Sequence, residues 1–458
     1  MRSWRRFGLV AALTGALVVP GQAARALEGR SWITDDQGRA LILHGLNTAS
    51  SAKSASGLPW IGPDDVALER RLLGTDSVRY LIQWKNVEPS PGVYDEEYLD
   101  AVAVRLRWYR DQGMHVILDM HQDIYGPAAC AGAGNGAPSW ATFTDGLACA
   151  PQSPWVLTYL QPAVLRAYDH FWNTTGRHPE LGERYAAMWR HVADRFRDEP
   201  AVLGYDLMNE PFGGTRQFGF FEGPILTPFH QRIIDAIRTV DAANWIFVEP
   251  QSLGVNQGAE SSLGALDGDR IVLAPHFYPG AVDLGGSYSG LTKLLVQGEF
   301  AFWKHNMTKL AATLGRPLWI GEIGAMDMSV PGGPAYTTDW LKMTEDLMIG
   351  YAYWSHEGGT GPDTSINPIL NGGLTQVGRI MARPRPRAVA GVPTAIKAAP
   401  GSLTVSWTAS DATGPTDIWF PGTTAPKVVA TDPYTWDPAT RTLLVWPGPG
   451  RDHTVTVT

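Results

Sequence analysis

Two glutamates that follow apolar runs are the residues of this chain best placed to do chemistry. Glu210 comes just after the run 202–208, in the tripeptide Asn209-Glu210-Pro211, and Glu322 follows the run 317–321. Carboxyl groups on two strand ends are what cleavage of a glycosidic bond needs. One protonates the leaving oxygen, and the other attacks or stabilises the sugar cation.

Other polar and aromatic residues stand within or just after further apolar runs. These are Arg79, His121, Asn209, His276, Tyr278 and Trp354. A single histidine or tyrosine at a strand end is usually a structural residue, but polar residues at so many predicted strand ends are improbable by chance. In a barrel of parallel strands, catalytic groups belong at these ends.

The elements that must position these residues are eight short apolar runs separated by amphipathic segments. The runs are 40–44, 77–82, 115–119, 202–208, 245–249, 271–275, 317–321 and 350–354. Segments 95–110 and 185–196 between them have helical periodicity. Continuously apolar strands that alternate with helices predict parallel pairing, and eight such units predict an α/β fold, a (β/α)8 barrel, over residues 27–382. A doubly wound sheet is the alternative, although it more often carries a glycine fingerprint.

The composition changes after Ile380. The Arg-Pro alternation at 383–387 predicts a stiff linker. Beyond it, Leu403, Val405 and Trp407 share one face of a strand, and 442–446 and 453–457 are strand-like. We therefore predict a small C-terminal β-sandwich over residues 383–458. It could bind carbohydrate or lipid, or simply pack on the barrel.

The N-terminus has the pattern of a signal peptide. Arg2, Arg5 and Arg6 precede the apolar stretch 7–19, which is too short for a membrane span. We expect residues 1–26 to be removed and the protein to be secreted. The two cysteines, Cys130 and Cys149, are then expected to form one disulfide, with a pair of buried thiols as the alternative.

Charge and motif content exclude several functions. A formal net charge of −8 and a pI of about 5.8 argue against nucleic acid as a partner. Metal-ligand spacing and a phosphate-binding glycine loop are both lacking in the sequence, so we expect neither a metal nor another cofactor.

The strand-end residues together resemble the pattern of glycoside hydrolase family 5, a group of retaining (β/α)8 glycosidases. The resemblance covers residues 30–380. It implies that Glu210 is the general acid/base and Glu322 the nucleophile, with Arg79 and Tyr278 supporting Glu322. It further implies that Asn209 holds the sugar's 2-hydroxyl and that Trp354 forms a floor under the sugar.

Three further segments resemble the endoglycoceramidases, which release the oligosaccharide from ceramide in glycosphingolipids. They are His44-Gly45-Leu46-Asn47 followed by Lys53, Asp119-Met120-His121-Gln122-Asp123, and Ala274-Pro275-His276-Phe277-Tyr278-Pro279. The resemblance implies a glycosphingolipid substrate, a monomer, contact with a membrane or micelle surface, and contacts from Lys53 and Asp123 to the glycone. A preference for the galactosyl-ceramide over the glucosyl-ceramide linkage stays open.

The connection after Glu210 offers an aglycone surface. It contains Phe212, Phe218, Phe220, Phe221, Ile225, Leu226 and Phe229. Because an acid/base lies beside the leaving group, this connection should flank the aglycone; the alternative is that the rings pack inside a loop subdomain.

Three other functions stay open. An endoglucanase or mannanase of the same family would want an open polar cleft lined with spaced tryptophans. A non-catalytic glycolipid-binding barrel would usually lack one of the two carboxylates. A surface adhesin would act through the C-terminal sandwich.

Overall fold

The computed structural model describes residues 31–324, 326–357 and 365–458. The predicted signal peptide lies outside these residues. The largest sheet contains eight strands, all in parallel pairs. In chain order they are β2 (His44–Thr48), β3 (Ser77–Ile82), β4 (His115–Met120), β5 (Val202–Asp206), β6 (Trp245–Val248), β7 (Ile271–Leu273), β8 (Ile320–Gly324) and β9 (Tyr351–His356).

The sheet closes on itself into the predicted barrel. Its strand order is β7-β6-β5-β4-β3-β2-β9-β8. The two end strands are then joined by the parallel bridges Leu273–Leu318 and Phe277–Ile323. Since sequential strands are neighbours throughout, the doubly wound alternative is wrong.

The predicted first strand was wrong by about one strand length. The barrel strand is β2, whereas β1 (Ala40–Leu41) pairs antiparallel with β12 (Arg385–Val389) of the C-terminal sheet. Residues 40–43 are apolar because they are covered on both sides: Ala40 and Ile42 face the C-terminal core, and Leu41 and Leu43 face the base of the barrel. A continuous apolar run cannot tell which of two sheets it joins.

Helices surround the barrel. Their bounds are α1 (Pro63–Leu68), α2 (Trp84–Val87), α3 (Glu96–Asp111), α4 (Pro162–Phe171), α5 (Glu180–Phe196), α6 (Thr227–Arg238), α7 (Gly280–Asp283), α8 (Gly290–Leu314), α9 (Gly333–Leu347) and α10 (Gln376–Met381). The predicted helices 95–110 and 185–196 correspond to α3 and α5. Asp95 caps α3 by accepting from the backbone N–H of Tyr98. In the described residues, no helix combines the length and apolar character that a membrane span requires.

The C-terminal part contains two facing antiparallel sheets, as predicted for a β-sandwich. One has the order β1-β12-β15-β18-β17 and the other β13-β14-β19-β16. The remaining strands are β10 (Ile369–Leu370), β11 (Gly373–Leu374), β13 (Val392–Ala399), β14 (Ser402–Thr408), β15 (Thr416–Trp419), β16 (Val428–Ala430), β17 (Tyr434–Asp437), β18 (Thr442–Val445) and β19 (Asp452–Val457). Leu403, Val405 and Trp407 share its core.

The predicted linker at 383–387 is instead buried structure. Arg385 begins strand β12, and Arg383, Arg385 and Arg387 are each less than a tenth exposed. Arg383 pairs with Glu345 of α9 at 3.0 Å, and Arg387 pairs with Asp417 at 2.8 Å. The Arg-Pro alternation therefore reflects an ion-paired edge between barrel and sandwich, which local composition alone does not reveal.

Candidate active site

The eight barrel strands bring polar and aromatic side chains to the carboxyl end of the barrel. Along the chain these are Asn47, Arg79, Asp119, His121, Asp206, Asn209, Glu210, Glu249, His276, Glu322 and Trp354. Glu322 lies within β8 and Trp354 within β9, each a few residues inside the observed strand. The predicted strand-end residues are thus brought together at one place.

Glu210 and Glu322 face each other across a short gap. One oxygen of each carboxyl group and a ring nitrogen of His276 all lie within 4.8 Å of one another. Glu210 Oε1 accepts from Asn256 Nδ2 at 2.7 Å and contacts His276 Nδ1 at 3.0 Å. Glu322 accepts from Arg79 Nη1 at 2.7 Å and from the Tyr278 hydroxyl at 2.9 Å.

The two carboxyl groups have opposite pKa shifts. Burial raises the pKa of Glu210; the hydrogen bond and charge of His276 oppose this, and the charge of Glu322 adds to it. Burial alone would also raise the pKa of Glu322, but the charges of His276 and Arg79 outweigh it and hold that pKa below its usual value. One group therefore tends to keep its proton while the other stays ionised.

Arg79 is the charge centre beneath the pair. Its guanidinium is fully buried and contacts four carboxyl groups: Asp119 at 2.9 Å, Asp206 at 2.8 Å, Glu249 at 2.8 Å and Glu322 at 2.7 Å. Burial lowers the pKa of Arg79, but the four carboxyl groups raise it well above its usual value. Burial also raises the pKa of Asp206, and the charge of Arg79 opposes this. Asp119, Asp206 and Glu249 lie close enough together to hold a cation, and the guanidinium takes that place.

His276 lies between three carboxyl groups. Nδ1 is 3.0 Å from Glu210 Oε1 and 3.8 Å from Glu322 Oε2, while Nε2 is 3.2 Å from Glu249 Oε1. Burial lowers the pKa of His276, but Glu249 and Glu322 raise it well above its usual value. The imidazolium fills the space next to β8, since a Cβ added to Gly321 would lie 2.8 Å from Nε2.

A polar cluster forms one side of the site. Lys53 Nζ bonds Asp123 Oδ2 at 2.7 Å and lies 4.3 Å from the centre of the Trp354 ring. His121 stacks on Trp354 with ring centres 5.6 Å apart, and its Nδ1 contacts Asp119 Oδ2 at 2.7 Å. The segments that predicted Lys53, His121, Asp123 and Trp354 therefore converge on one surface, and glycone contact from it stays a prediction.

Asn209 is held by protein contacts. Its Oδ1 accepts from Arg79 Nη2 at 3.0 Å, and its Nδ2 donates to the Gln122 carbonyl at 2.9 Å. One amide hydrogen remains for another acceptor, because an amide nitrogen carries two. A contact to a sugar hydroxyl stays a prediction.

A cavity of about 530 Å³ opens above the two glutamates. Lys53, Asp123 and Trp354 are part of its lining. Further lining residues are apolar or aromatic, and we define them as the apolar wall: Trp155, Val156, Leu157, Tyr159, Leu160, Phe212, Leu253 and Leu284. Most of this wall comes from the 3₁₀ segment Trp155–Leu160, in the long connection that the Cys130–Cys149 disulfide closes upstream. The predicted disulfide is therefore present.

The phenylalanines after Glu210 divide between the two predicted roles. Phe221, Leu226 and Phe229 are buried and pack in the core, as the packing alternative predicts. Phe212 is buried and also lines the cavity. Phe218 and Phe220 are 46% and 76% exposed. The apolar lining of the cavity thus comes mainly from Trp155–Leu160, whereas the connection after Glu210 adds Phe212.

Several site residues were missed from the sequence, notably Asn47, Asp119, Asp206, Glu249 and Asn256. Asp119 and Asn47 stood inside quoted motifs without an assigned role, and Glu249 ended a predicted strand as Glu210 and Glu322 nearly do. That position was the available signal for Glu249. Asn256 follows no strand and has no comparable signal.

Comparison with known proteins agrees with this geometry. The family model described as Cellulase (glycosyl hydrolase family 5) matches residues 34–359. Endoglycoceramidase I of Rhodococcus hoagii (strain 103S) is 30% identical over 407 residues, or 84% of this chain and 78% of that protein.

Solved structures give the same relationship. Endo-glycoceramidase II from Rhodococcus sp. in its ganglioside GM3 complex superposes with a TM-score of 0.89 at 43% identity, covering 94% of this chain and 99% of that chain. The lactosyl-enzyme intermediate of the same protein gives 0.87 at 43% identity over 93% and 99%. An endogalactoceramidase gives 0.73 at 25% identity over 93% and 98%. This chain is therefore a glycoside hydrolase that belongs to glycosyl hydrolase family 5, and within that family it is of the endoglycoceramidase type.

Proposed function

We propose that this enzyme is a secreted, retaining β-glycosidase that hydrolyses the linkage between oligosaccharide and ceramide in glycosphingolipids. The observation that carries the proposal is the mixed lining of one cavity: Glu210 and Glu322 share it with the polar residues Lys53 and Asp123 and with the apolar wall. Such a cavity suits a substrate that is half sugar and half lipid. The ganglioside GM3 complex of the related Rhodococcus enzyme supports the same substrate class.

Glu322 is the proposed nucleophile. Its carboxylate attacks the anomeric carbon as the bond to the ceramide oxygen breaks, and a glycosyl ester forms. An oxygen of Glu210 lies within 4.8 Å of an oxygen of Glu322, which supports the close carboxyl pair of retaining enzymes over the separation of about 6.5–9.5 Å in inverting enzymes. Arg79 and the Tyr278 hydroxyl keep the attacking group ionised and oriented.

Glu210 is the proposed acid/base. It gives its proton to the departing ceramide oxygen, so that the leaving group departs as an alcohol. Once Glu322 is esterified its negative charge is gone, and one cause of the raised pKa of Glu210 disappears. Glu210 then stays ionised and takes a proton from the water that hydrolyses the ester.

Lys53, Asp123 and Trp354 are proposed to bind the first sugar. Trp354 is an aromatic residue of the cavity lining, and Lys53 and Asp123 supply a charged donor and acceptor for hydroxyl groups. A hydrogen bond from the remaining amide hydrogen of Asn209 to the 2-hydroxyl is part of the same proposal.

The apolar wall is proposed to face a membrane or micelle that presents the substrate. Exposed apolar residues also occur in the connection after Glu210 and on helix α8. They are Phe218, Phe220, Leu291, Leu294, Leu295 and Phe302. Phe218 packs next to Gly254 and Phe302 next to Gly258, so these two side chains lie against the loop that carries Leu253. Exposed apolar side chains near the cavity are the kind of protein surface that a membrane or micelle would cover.

Mass spectrometry of the products tests the proposal. The purified enzyme is incubated with lactosylceramide, with a ganglioside and with a cello-oligosaccharide, and Glu322→Ser serves as the inactive control. Release of intact glycan plus ceramide by the wild type alone is the expected result. Cleavage of the cello-oligosaccharide alone would favour the endoglucanase or mannanase alternative. Cleavage of galactosylceramide in preference to glucosylceramide would assign the galactosyl subtype.

A further inference from the structure

We infer that Glu249 is a positioning residue that holds the acid/base and the nucleophile in register with each other. The inference rests on the proposed roles of Glu210 and Glu322, and it assigns a function to a carboxyl group that does not itself reach the substrate. Glu249 follows strand β6 directly, is 2% exposed and does not line the cavity.

The two oxygens of Glu249 face different partners. Oε2 accepts the backbone N–H of Glu210 at 2.9 Å. Oε1 accepts from Arg79 Nη2 at 2.8 Å and lies 3.2 Å from His276 Nε2. One carboxylate therefore contacts the acid/base, the arginine that holds the nucleophile, and the imidazolium between them.

The contact to Glu210 has a structural consequence. Glu210 has φ = 46°, in the left-handed region that a residue with a Cβ seldom adopts. This conformation is strained for a residue with a side chain, so it needs support from its surroundings. Glu249 holds the N–H on one side, and Gln122 Nε2 donates to the Glu210 carbonyl at 3.1 Å on the other. The direction of the Glu210 side chain depends on both.

Glu249 is itself fixed in place. Its backbone carbonyl contacts His230 Nε2 at 2.9 Å. Burial lowers the pKa of His230 to about 4, so this histidine is neutral and adds no charge behind the site. The other ionisable groups that face this region are Asp119, Asp206 and Glu322 on Arg79, and Glu210 on His276.

Glu249→Gln changes the charge and the hydrogen-bonding groups at this position while nearly preserving the size of the side chain. Glutamine has nearly the same size but presents one oxygen and one NH₂ group. In either orientation the NH₂ group would face a donor, either the Glu210 N–H or the Arg79 and His276 donors. Glu249→Gln is thus expected to lower kcat by about 10²-fold through misplacement of the reacting groups. KM should change little, since Glu249 does not touch the substrate.

Leaving-group dependence distinguishes positioning from general damage. Aryl glycosides with a dinitrophenolate leaving group need no proton from the acid, whereas methylumbelliferyl glycosides do. If Glu249 positions Glu210, the loss in kcat/KM caused by Glu249→Gln should be about tenfold larger with the methylumbelliferyl substrate than with the dinitrophenyl substrate. Azide should also accelerate turnover of the dinitrophenyl substrate by the variant, because azide attacks the glycosyl ester without a general base. The ratio of the kcat/KM values for the two substrates does not depend on the fraction of the protein that is folded.

Two variants complete the design. Glu222→Gln is the matched control, since Glu222 is also a buried glutamate that accepts backbone N–H groups, those of Gln251 and Ser262. It should lower stability without changing the leaving-group ratio. Glu249→Asp keeps the charge and should recover part of the activity; it also replaces Glu249→Gln if that variant fails to fold.

The outcomes separate this inference from the proposed function. Aryl glycosides carry no ceramide, so a wrong aglycone assignment leaves the test intact. Glu210→Ala should show the leaving-group effect in full. An equal loss on both aryl substrates in Glu249→Gln, with the effect present in Glu210→Ala, would overturn the role of Glu249. Absence of the effect in Glu210→Ala would overturn the acid/base assignment and the positioning role with it.

Discussion

Removal of the Trp155 ring should impair hydrolysis of lipid-linked substrates far more than hydrolysis of soluble ones. Trp155 is 48% exposed and lines the cavity on its apolar side. A tryptophan side chain buries about 150–250 Å² when fully covered, so about 100 Å² remains for a lipid chain to cover. At about 25 cal/mol per Å², full coverage contributes about 2.5 kcal/mol and half coverage about 1.2 kcal/mol.

These energies translate into a measurable ratio. Since about 1.4 kcal/mol is a factor of ten, Trp155→Ser should lower kcat/KM for lactosylceramide about 8-fold to 70-fold. The assay compares lactosylceramide in mixed micelles with an aryl lactoside, for which we expect a change below about twofold. Trp446→Ser is the matched control, because Trp446 is 47% exposed but belongs to the C-terminal sandwich. Equal losses on both substrates, or an equal loss in the Trp446 variant, would refute the aglycone role of the wall.

Four further results are expected. Glu322→Ser should lower hydrolysis on the order of 10⁴-fold with an unchanged circular dichroism spectrum, and retained hydrolysis would remove Glu322 as the nucleophile. The pH profile of kcat/KM should be bell-shaped, with an acid limb below and an alkaline limb above the usual carboxyl pKa, because the pKa of Glu322 is lowered and that of Glu210 is raised. The alkaline limb should disappear in Glu210→Gln, and an alkaline limb retained in that variant would contradict the assignment. Cys149→Ser should destabilise the fold by about 3 kcal/mol, since the Cys130–Cys149 bond closes a loop across 19 positions, and an unchanged Tm in non-reducing buffer would show that the loop is ordered without it. Burial raises the pKa of Asp76 to about 7, so the folded state retains a proton that the unfolded state loses near pH 4, and the free energy of unfolding should fall as pH rises from 4 towards 7. Urea unfolding should therefore give a free energy of unfolding that is a few kcal/mol lower at pH 8 than at pH 5. Asp76→Asn should abolish that difference.

The proximity of Glu210 and Glu322 could be predicted because its signal is local. Each glutamate stands on or beside an apolar strand, and parallel strands bring their carboxyl ends to one face of a barrel. Glu249 has the same local pattern, yet its role depends on contacts to Arg79, His276 and the Glu210 backbone, which come from three other strands. No property of the segment 245–249 specifies those contacts.

The predictions that failed concern segments whose surroundings come from distant parts of the chain. Residues 40–44 are apolar because barrel and sandwich both cover them, so their composition fits either sheet. The arginines of 383–387 are charged yet buried, because Glu345 and Asp417 reach them from other elements. The aromatic connection after Glu210 divides between core and surface according to the direction in which each ring points.

The sequence by itself determined the barrel, the candidate pair Glu210 and Glu322 and the family of the enzyme, because strand periodicity and short motifs are written in contiguous residues. Only the tertiary structure decided which residues form the apolar wall, and how one arginine, one histidine and Glu249 are arranged beneath the pair. Those features depend on distances of about 3 Å between side chains from different strands. Such distances exist only after the chain has closed into a barrel.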